Sequence, residues 1–426
     1  MTANSMDRTY YAATAHSAPA RPPLEGDVTA DVCVIGAGFT GVSAALNLAE
    51  RGFRVVVVEA DHVGFGAAGR NGGQVHSGQR VDQDALEAEM GAETAKELWN
   101  IAEAAKAEVS ARIDRHGIAC DYRAGLVIAG WKPPHARELF AYADALAERY
   151  GYAKLVKLDR AAMREWIASD RYFGGFLDWG GGHLHPLNYL LGLAKAAEDA
   201  GAVIHEGTPA LGLERTDPAV VTTPRGRITA RFVAVAGDAY LGDLIPELAL
   251  RLFPINTYVV ATAPLGDARA RALIRDSVAV ADTKFVLDYY RISADTRLVF
   301  GGGETYTAHV PRDIAGLVRR PMLRVFPQLA DVAIDYAWGG KVGITLNRRP
   351  HFGRLAPNML FAQGYSGQGV ALASLAGKLM TEAIAGTAER FDVMASFKVP
   401  AFPGGHLTRA PAQILGMMFA ALRDRL

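Results

Sequence analysis

Hydrophobic and polar positions along the chain fall into two textures. Near the start, Asp31-Val-Cys-Val-Ile35 is a short β-branched run that meets glycines at once. Thr40 to Arg51 then carries apolar residues at helical spacing, with Leu46 and Leu48 among alanines, and Gly52 ends it. Arg54-Val-Val-Val-Val-Glu59 reads as a second buried strand. Strand, glycine turn, helix and strand in that order predict a βαβ unit. Downstream, Asp84 to His116 has helical spacing as far as Gly117, and Gly125 to Gly130 reads as a strand. Pro134 to Tyr150 and Leu187 to Ala200 read as helices. Ala202 to His205 is a strand, and Val220 to Val235 a hairpin around Pro224-Arg225-Gly226 that runs into a buried strand.

The second texture spans roughly 244 to 337. Thr257–Thr262, Lys284–Tyr290 and Arg297–Phe300 alternate or are β-branched and aromatic, which predicts an antiparallel sheet. Asn358 to Ala362 is then a short strand, followed by a glycine-rich turn and a helix over about Gly369 to Ala385. The fold class expected is α/β, α+β overall. A nucleotide-binding domain is assembled from separated pieces (28–105, 155–240 and 338–395). A second domain with a large, mainly antiparallel sheet uses 106–154 and 241–337, and 396–426 forms a C-terminal extension.

Composition narrows the function. Half of the 426 residues are hydrophobic, and Lys plus Arg equals Asp plus Glu at 45 each. A neutral chain without long like-charge runs is not built for nucleic acid or an anionic membrane. The two cysteines, Cys33 and Cys120, have neither metal-ligand spacing nor disulfide density. Met1 to Pro23 lacks the pattern of a signal peptide, and Ile414 to Leu422 is far shorter than the ~20 residues of a membrane span. A cytoplasmic enzyme is expected.

Gly36-Ala-Gly38-Phe39-Thr40-Gly41 supplies the chemistry. Its first glycine allows a tight turn, its second lets backbone approach a pyrophosphate, and its third lets helix pack on strand. The helix N-terminus offers unpaired N–H groups to phosphate. Glu59, with Ala60 after it, stands where a carboxylate meets ribose hydroxyls, which disfavours a 2′-phosphate and so NADP. The unit is Rossmann-like and suits NAD or FAD alike.

Three further segments favour FAD. The loop Gly64-Phe-Gly66-Ala67-Ala-Gly69-Arg70-Asn71-Gly72-Gly73-Gln74 is small-residue rich, with Arg70 placed for charge-assisted contact with a pyrophosphate. Phe232 to Asp238 is a strand whose end, Ala236-Gly237, can pass beside a cofactor, and Leu211 is expected near it. Gln363-Gly364-Tyr365-Ser366-Gly367-Gln368-Gly369-Val370 joins strand to helix, and this second helix N-terminus can stabilise charge on a reduced flavin. Tyr258, Tyr289 and Tyr290 are candidates for apolar substrate walls, with Tyr258, Tyr290 and Lys341 as the substrate-site set. His183 and His185 are read as structural or as lining the cofactor cleft. No metal site and no catalytic side chain are assigned.

With these motifs in hand, the chain resembles the D-amino-acid oxidase superfamily of flavoproteins, which includes glycine and sarcosine oxidases. The resemblance rests on Tyr10–Thr14, Gly64–Gln74, Ser169–Tyr172 with Gly181–Asn188, Leu287–Arg291 with Gly301–Gly303, Phe352–Arg354, Gly364–Gly367 and Phe402–Gly405. It runs nearly end to end. It implies FAD lying across the nucleotide domain and oxidation of an amine's C–N bond to an imine that water hydrolyses. Dioxygen or another electron acceptor then takes the electrons. The substrate implied first is gamma-glutamylputrescine or a close amine of polyamine catabolism. A secondary amino acid such as pipecolate or sarcosine, or a flavoprotein dehydrogenase serving a partner, stay open. The members resembled most have His where this chain has Gln368. Glycine-oxidase relatives place a carboxylate-binding Arg shortly after Trp-x-Gly, where Trp338-Gly-Gly340-Lys341-Val342 has Val. Sarcosine-oxidase relatives attach flavin through a Cys in this region, and none lies between Trp338 and Arg354, so FAD is expected to be noncovalent.

Overall fold

The computed structural model describes residues 9–305 and 310–402. The stretch Ile414–Leu422, most of the expected C-terminal extension and the last residues of the Phe402–Gly405 motif lie outside the described residues. Two sheets organise the chain. In the first, Val28–Ile35 sits centrally, parallel to Gly226–Val235 on one side and to Val55–Val58 on the other. Val34 aligns with both Ala234 and Val57. Met359–Gln363 and Val203–His205 extend it in parallel, and His351–Ala356 pairs antiparallel at one edge. Strands covered on both faces read as continuous apolar runs, which is why the Val55–Val58 sequence is all valine.

The helix Phe39–Ala49 returns the chain between the first two strands, and every residue of it is buried. Such a helix has no side facing solvent and needs a partner on each side. One partner is Gly369–Ile384, rich in alanine and leucine. Contact is close enough that a Cβ on Gly377 would sit 2.4 Å from both Ala44 N and Thr40 O. Ser43 Oγ donates to Ser374 O (2.5 Å) and Thr381 Oγ1 to Ala44 O (3.3 Å) across the same seam.

The second sheet has nine strands. Its path runs Ile334–Ile344, Phe253–Thr262, Leu298–Thr305, Tyr289–Ile292, Ala279–Asp282, Arg123–Ala129, Gly175–His183 and Gln74–Val75. Leu155–Leu158 pairs on Gly175–His183. Pairing is antiparallel except between Ala279–Asp282 and Arg123–Ala129. One face is covered by the amphipathic helix Ile314–Val325, whose Val318, Met322 and Val325 join Tyr258, Tyr290 and Phe300 in a core.

Three sequence expectations differ from the structure. The helix expected over Asp84–His116 is two, Gln83–Met90 and Ala92–His116, because Gly91 takes φ +83° and breaks it. The strand expected over Lys284–Tyr290 begins only at Tyr289. Asp282 Oδ1 accepts the amides of Lys284 (3.2 Å) and Asp288 (3.1 Å) and folds the intervening residues into a loop. Leu155–Leu158, Gly175–His183 and Gln74–Val75 pair in the second sheet, where no strand was expected over Gly175–His183. Glycine-rich Gly175–His183 carries no hydrophobic alternation to reveal its pairing.

Among the described residues, no helix is long and apolar enough to cross a membrane, and no cluster of His, Cys, Asp or Glu could hold a metal ion. Gly377→Val should force the two buried helices apart and lower stability by about 1–3 kcal/mol, read as a fall in the thermal or urea midpoint. An unchanged midpoint would mean that the helices do not meet there.

Candidate active site

A continuous cavity of about 1310 Å³ opens at the carboxyl ends of the parallel strands, where Ile35, Val58 and Ala236 line it, and reaches the second sheet at Tyr289 and Gly303. A small-ligand cleft is usually about 300–1,000 Å³. This one has room for a dinucleotide and a substrate together.

The first wall is the glycine turn. Gly36 takes φ +101°, and its Cβ would lie 2.9 Å from Ala236 O, so only glycine fits. Gly41 does not face the cavity; a Cβ there would strike Gly36 O at 1.8 Å. Over Gly38 nothing comes nearer than the Ala68 methyl at 3.8 Å, which leaves its backbone open to a ligand. Gly38 caps the helix without a side-chain bond, so the first amides of Phe39, Thr40 and Gly41 have no side-chain acceptor. Glu59 lines the cavity beside them with Ala60 and accepts from Ala37 N (2.8 Å) and Asp61 N (3.1 Å). Burial raises its pKa, and those two amides oppose the rise.

The second wall is the turn before Gly369–Ile384. Tyr365, Ser366, Gly367, Gln368, Gly369 and Val370 all line the cavity. Ser366 adopts φ +52°, a strained conformation for a residue with a side chain, and its amide donates to Gly343 O (3.1 Å). Gly364 sits behind the turn, and its amide donates to Asp238 Oδ1 (2.7 Å). Thr40 Oγ1 and Tyr365 OH share a hydrogen bond of 2.6 Å, which brings the two helix starts side by side. Asp238 was missed as a site residue. It is half-buried at φ +43°, and loss of solvent raises its pKa against the amides of Gly364 and Ala239.

Whether these walls fit FAD is tested by what they leave unsatisfied. Neither helix N-terminus has a side-chain cap, and the buried Gln368 Oε1 has no hydrogen-bond partner among the described residues. Open amides at two places and an orphaned acceptor suit a cofactor with phosphates at one end and a polar ring at the other. The residues fit the group.

The loop 64–74 divides. Gly66, Ala67, Asn71, Gly72 and Gln74 line the cavity. Asn71 folds the loop, donating to Ala67 O and Ala68 O and accepting from Gly73 N (2.7 Å). Gly73 is buried against Leu184 O. Arg70 does not present its guanidinium as expected: Nε donates to Phe65 O (2.6 Å) and Nη1 to Gly339 O (3.4 Å). It ties the loop to Ile334–Ile344, whose Trp338 Nε1 returns a bond to Arg70 O (2.9 Å). Ala236 and Gly237 line the cavity as expected, whereas Leu211 is 60% exposed and its neighbours Pro209 and Ala210 do the lining.

The substrate-wall set is placed elsewhere. Tyr258 is in the core of the second sheet, with its hydroxyl bonded to Thr305 (2.6 Å). Tyr290 stacks on Phe300 and donates to Tyr172 OH (3.0 Å). Lys341 is exposed, its ammonium 5.7 Å from the Tyr240 ring centre. Because strand side chains alternate, Tyr289 rather than Tyr290 faces the cavity, and Gly72 leaves its ring room: a Cβ there would come within 2.7 Å. Burial raises the Tyr289 phenol's pKa and keeps it neutral. Arg291 donates to Gly72 O (2.9 Å) and Tyr11 OH (3.2 Å).

This construction defines a class. The chain belongs to the FAD-dependent oxidoreductase family, whose model matches residues 31–383, and it is an FAD-dependent oxidoreductase. Among relatives, it is 45% identical to gamma-glutamylputrescine oxidoreductase of Escherichia coli (strain K12) over 98% of both chains. It is 24% identical to a glycine oxidase of Bacillus licheniformis over 86% of this chain and 96% of that one. In fold it is similar to the crystal structure of glycine oxidase from Geobacillus kaustophilus, with a TM-score of 0.72 at 20% identity, covering 84% of this chain and 95% of that one.

The two histidines are structural. His185 caps the helix Pro186–Asp199, accepting from Asn188 N (3.1 Å), and its Nε2 meets Thr14 Oγ1 (3.0 Å). His183 Nε2 pairs with Ser277 O (2.7 Å). Burial first, then Arg291's charge, lowers both pKa values to about 3. Above about pH 6.5 they are neutral folded and unfolded alike. Between about 6.5 and 3 only the unfolded chain takes up their protons, so stability should fall with pH by roughly 1.4 kcal/mol per unit for each. Melting midpoints from pH 7 to pH 5 check this, and His185→Asn should lessen the slope. Equal slopes would rule the histidines out as its source.

Proposed function

We propose that this enzyme oxidises the primary amine of gamma-glutamylputrescine, or a closely related amine, with noncovalently bound FAD and dioxygen as final acceptor. The observation that carries the reading is the single cavity joining two uncapped helix starts to an uncharged wall at Tyr289. The 45% identity to a relative of that name supports the choice of substrate.

The chemistry that bound FAD would supply is acceptance of a hydride from the carbon bearing nitrogen, leaving an imine that water would hydrolyse to an aldehyde and ammonia. The chain's own part is positioning and desolvation. Gly36 and Gly38 would admit the pyrophosphate, Glu59 would accept from ribose hydroxyls, and the amides at Gln368, Gly369 and Val370 would favour negative charge on the ring. An amine gives up hydride only as the free base, and burial beside Tyr289, Leu126 and Ile128 disfavours the ammonium form. Val342 lines the cavity at the position where glycine-oxidase relatives carry their carboxylate-binding Arg. Without that clamp the reacting carbon need not bear a carboxylate, which speaks against the secondary amino acids. With Trp338–Arg354 lacking Cys, no thiol there can bond the flavin. Buried, unpaired Cys33 and Cys120 suit a cytoplasmic enzyme.

Purified protein should be yellow and release its flavin on denaturation. Under anaerobic conditions, gamma-glutamylputrescine should bleach it, with peroxide formed one-for-one once air is admitted. A tenfold preference for sarcosine or pipecolate would overturn the substrate, and a peroxide yield near zero would overturn dioxygen as acceptor.

A further inference from the structure

Among the described residues the buried arginines are all engaged. Arg349 pairs with Glu89, Arg291 holds Gly72 O, and Arg70 holds Phe65 O. Arg80, by contrast, is half-buried and lines the cavity, and among the described residues its guanidinium makes no hydrogen bond and no ion pair at contact distance. A half-buried cation that has given up part of its water and has no acceptor at contact distance is stabilised by an anionic guest. Burial, followed by the charge of nearby Arg348, pushes the Arg80 pKa down, while the carboxylates of Asp82 and Glu304 act the other way.

Arg348 reaches the same cavity from a different part of the chain. It sits in the turn after Ile334–Ile344 at φ +59°, an uncommon conformation for a residue with a side chain. Its guanidinium lies 4.9 Å from the ring centre of Phe285, which also lines the cavity. The next residue, Arg349, is turned away to Glu89, and Asn347 is anchored by a bond to Lys398 O (2.8 Å). The turn is therefore held so that one of two consecutive arginines faces inward. The two guanidiniums line one cavity together with the carboxylates of Asp82 and Glu304, and guanidinium N–H groups turned into the cavity can give charge-assisted hydrogen bonds to a substrate carboxylate.

Resting on the reading of a gamma-glutamylated amine above, we propose that Arg80 and Arg348 form the subsite for the α-carboxylate of the substrate's glutamyl group. Asp82, which also lines the cavity near Arg80, offers an acceptor for the α-ammonium beside that carboxylate. The ligand class is an α-amino-acid head on an amine chain. Selectivity then comes from the end of the substrate that does not react.

The test compares gamma-glutamylputrescine with N-(4-aminobutanoyl)putrescine, the same amide without the carboxylate. Wild-type holoenzyme should prefer the first in kcat/KM by roughly 10–100-fold, the span of a charged hydrogen bond. In Arg80→Gln the preference should collapse towards one, mainly through KM, and Arg80→Lys should keep part of it. An equal preference in wild type and Arg80→Gln overturns the subsite. Glutarate, which cannot be oxidised, gives an independent arm by calorimetric titration, and its affinity should fall at least tenfold in Arg80→Gln. Arg80-dependent glutarate binding without oxidation of gamma-glutamylputrescine would sink the substrate reading and keep the subsite. Oxidation with Arg80-independent binding would do the reverse. If Arg80→Gln does not fold with flavin, Arg348→Gln and Arg80→Lys give the same two ratios.

Discussion

Everything at the site depends on two helices meeting without a side chain between them. Phe39–Ala49 and Gly369–Ile384 touch at Gly377, where any Cβ would collide with the backbone of Thr40 and Ala44. Because both are buried and lie this close, their N-termini emerge together, joined by the bond between Thr40 and Tyr365. Two partial positive ends then face one cavity. Asp238 fixes the remaining degree of freedom by accepting the Gly364 amide, so the turn before the second helix cannot drift from the end of Gly226–Val235.

The nucleotide-binding half was legible in the sequence because its constraints are local. A glycine turn between a β-branched strand and an apolar helix has few other meanings, and Gly36, Gly38 and Glu59 lie where the spacing put them. The second sheet was legible only in kind. Asp282 ends its strand by bonding to amides further along, a contact that hydrophobic alternation does not encode. Arg70 is the instructive miss. Glycines around an arginine suggest a phosphate site, yet carbonyl oxygens of Phe65 and Gly339 compete for the same guanidinium. Arg80 carried no signal, because only the fold tells an engaged arginine from an open one.

The division of labour between the sheets follows from charge. The parallel sheet offers backbone dipoles, which serve a cofactor whose anionic groups are always present. The second sheet offers Tyr289 and aliphatic neighbours, which serve a reacting amine that has to lose its proton. Charged side chains are placed around this uncharged patch, at Arg80 and Arg348, where recognition does not compete with chemistry.

The seam between Ser43 and Ser374 joins residues more than three hundred positions apart. A nascent chain therefore makes its fingerprint early but has nothing to press against it until the late helix leaves the ribosome. Loop-closure entropy of that size is charged to the final stage of folding. The early βαβ unit waits with a mainly apolar helix exposed, which makes it a natural client for chaperones during synthesis.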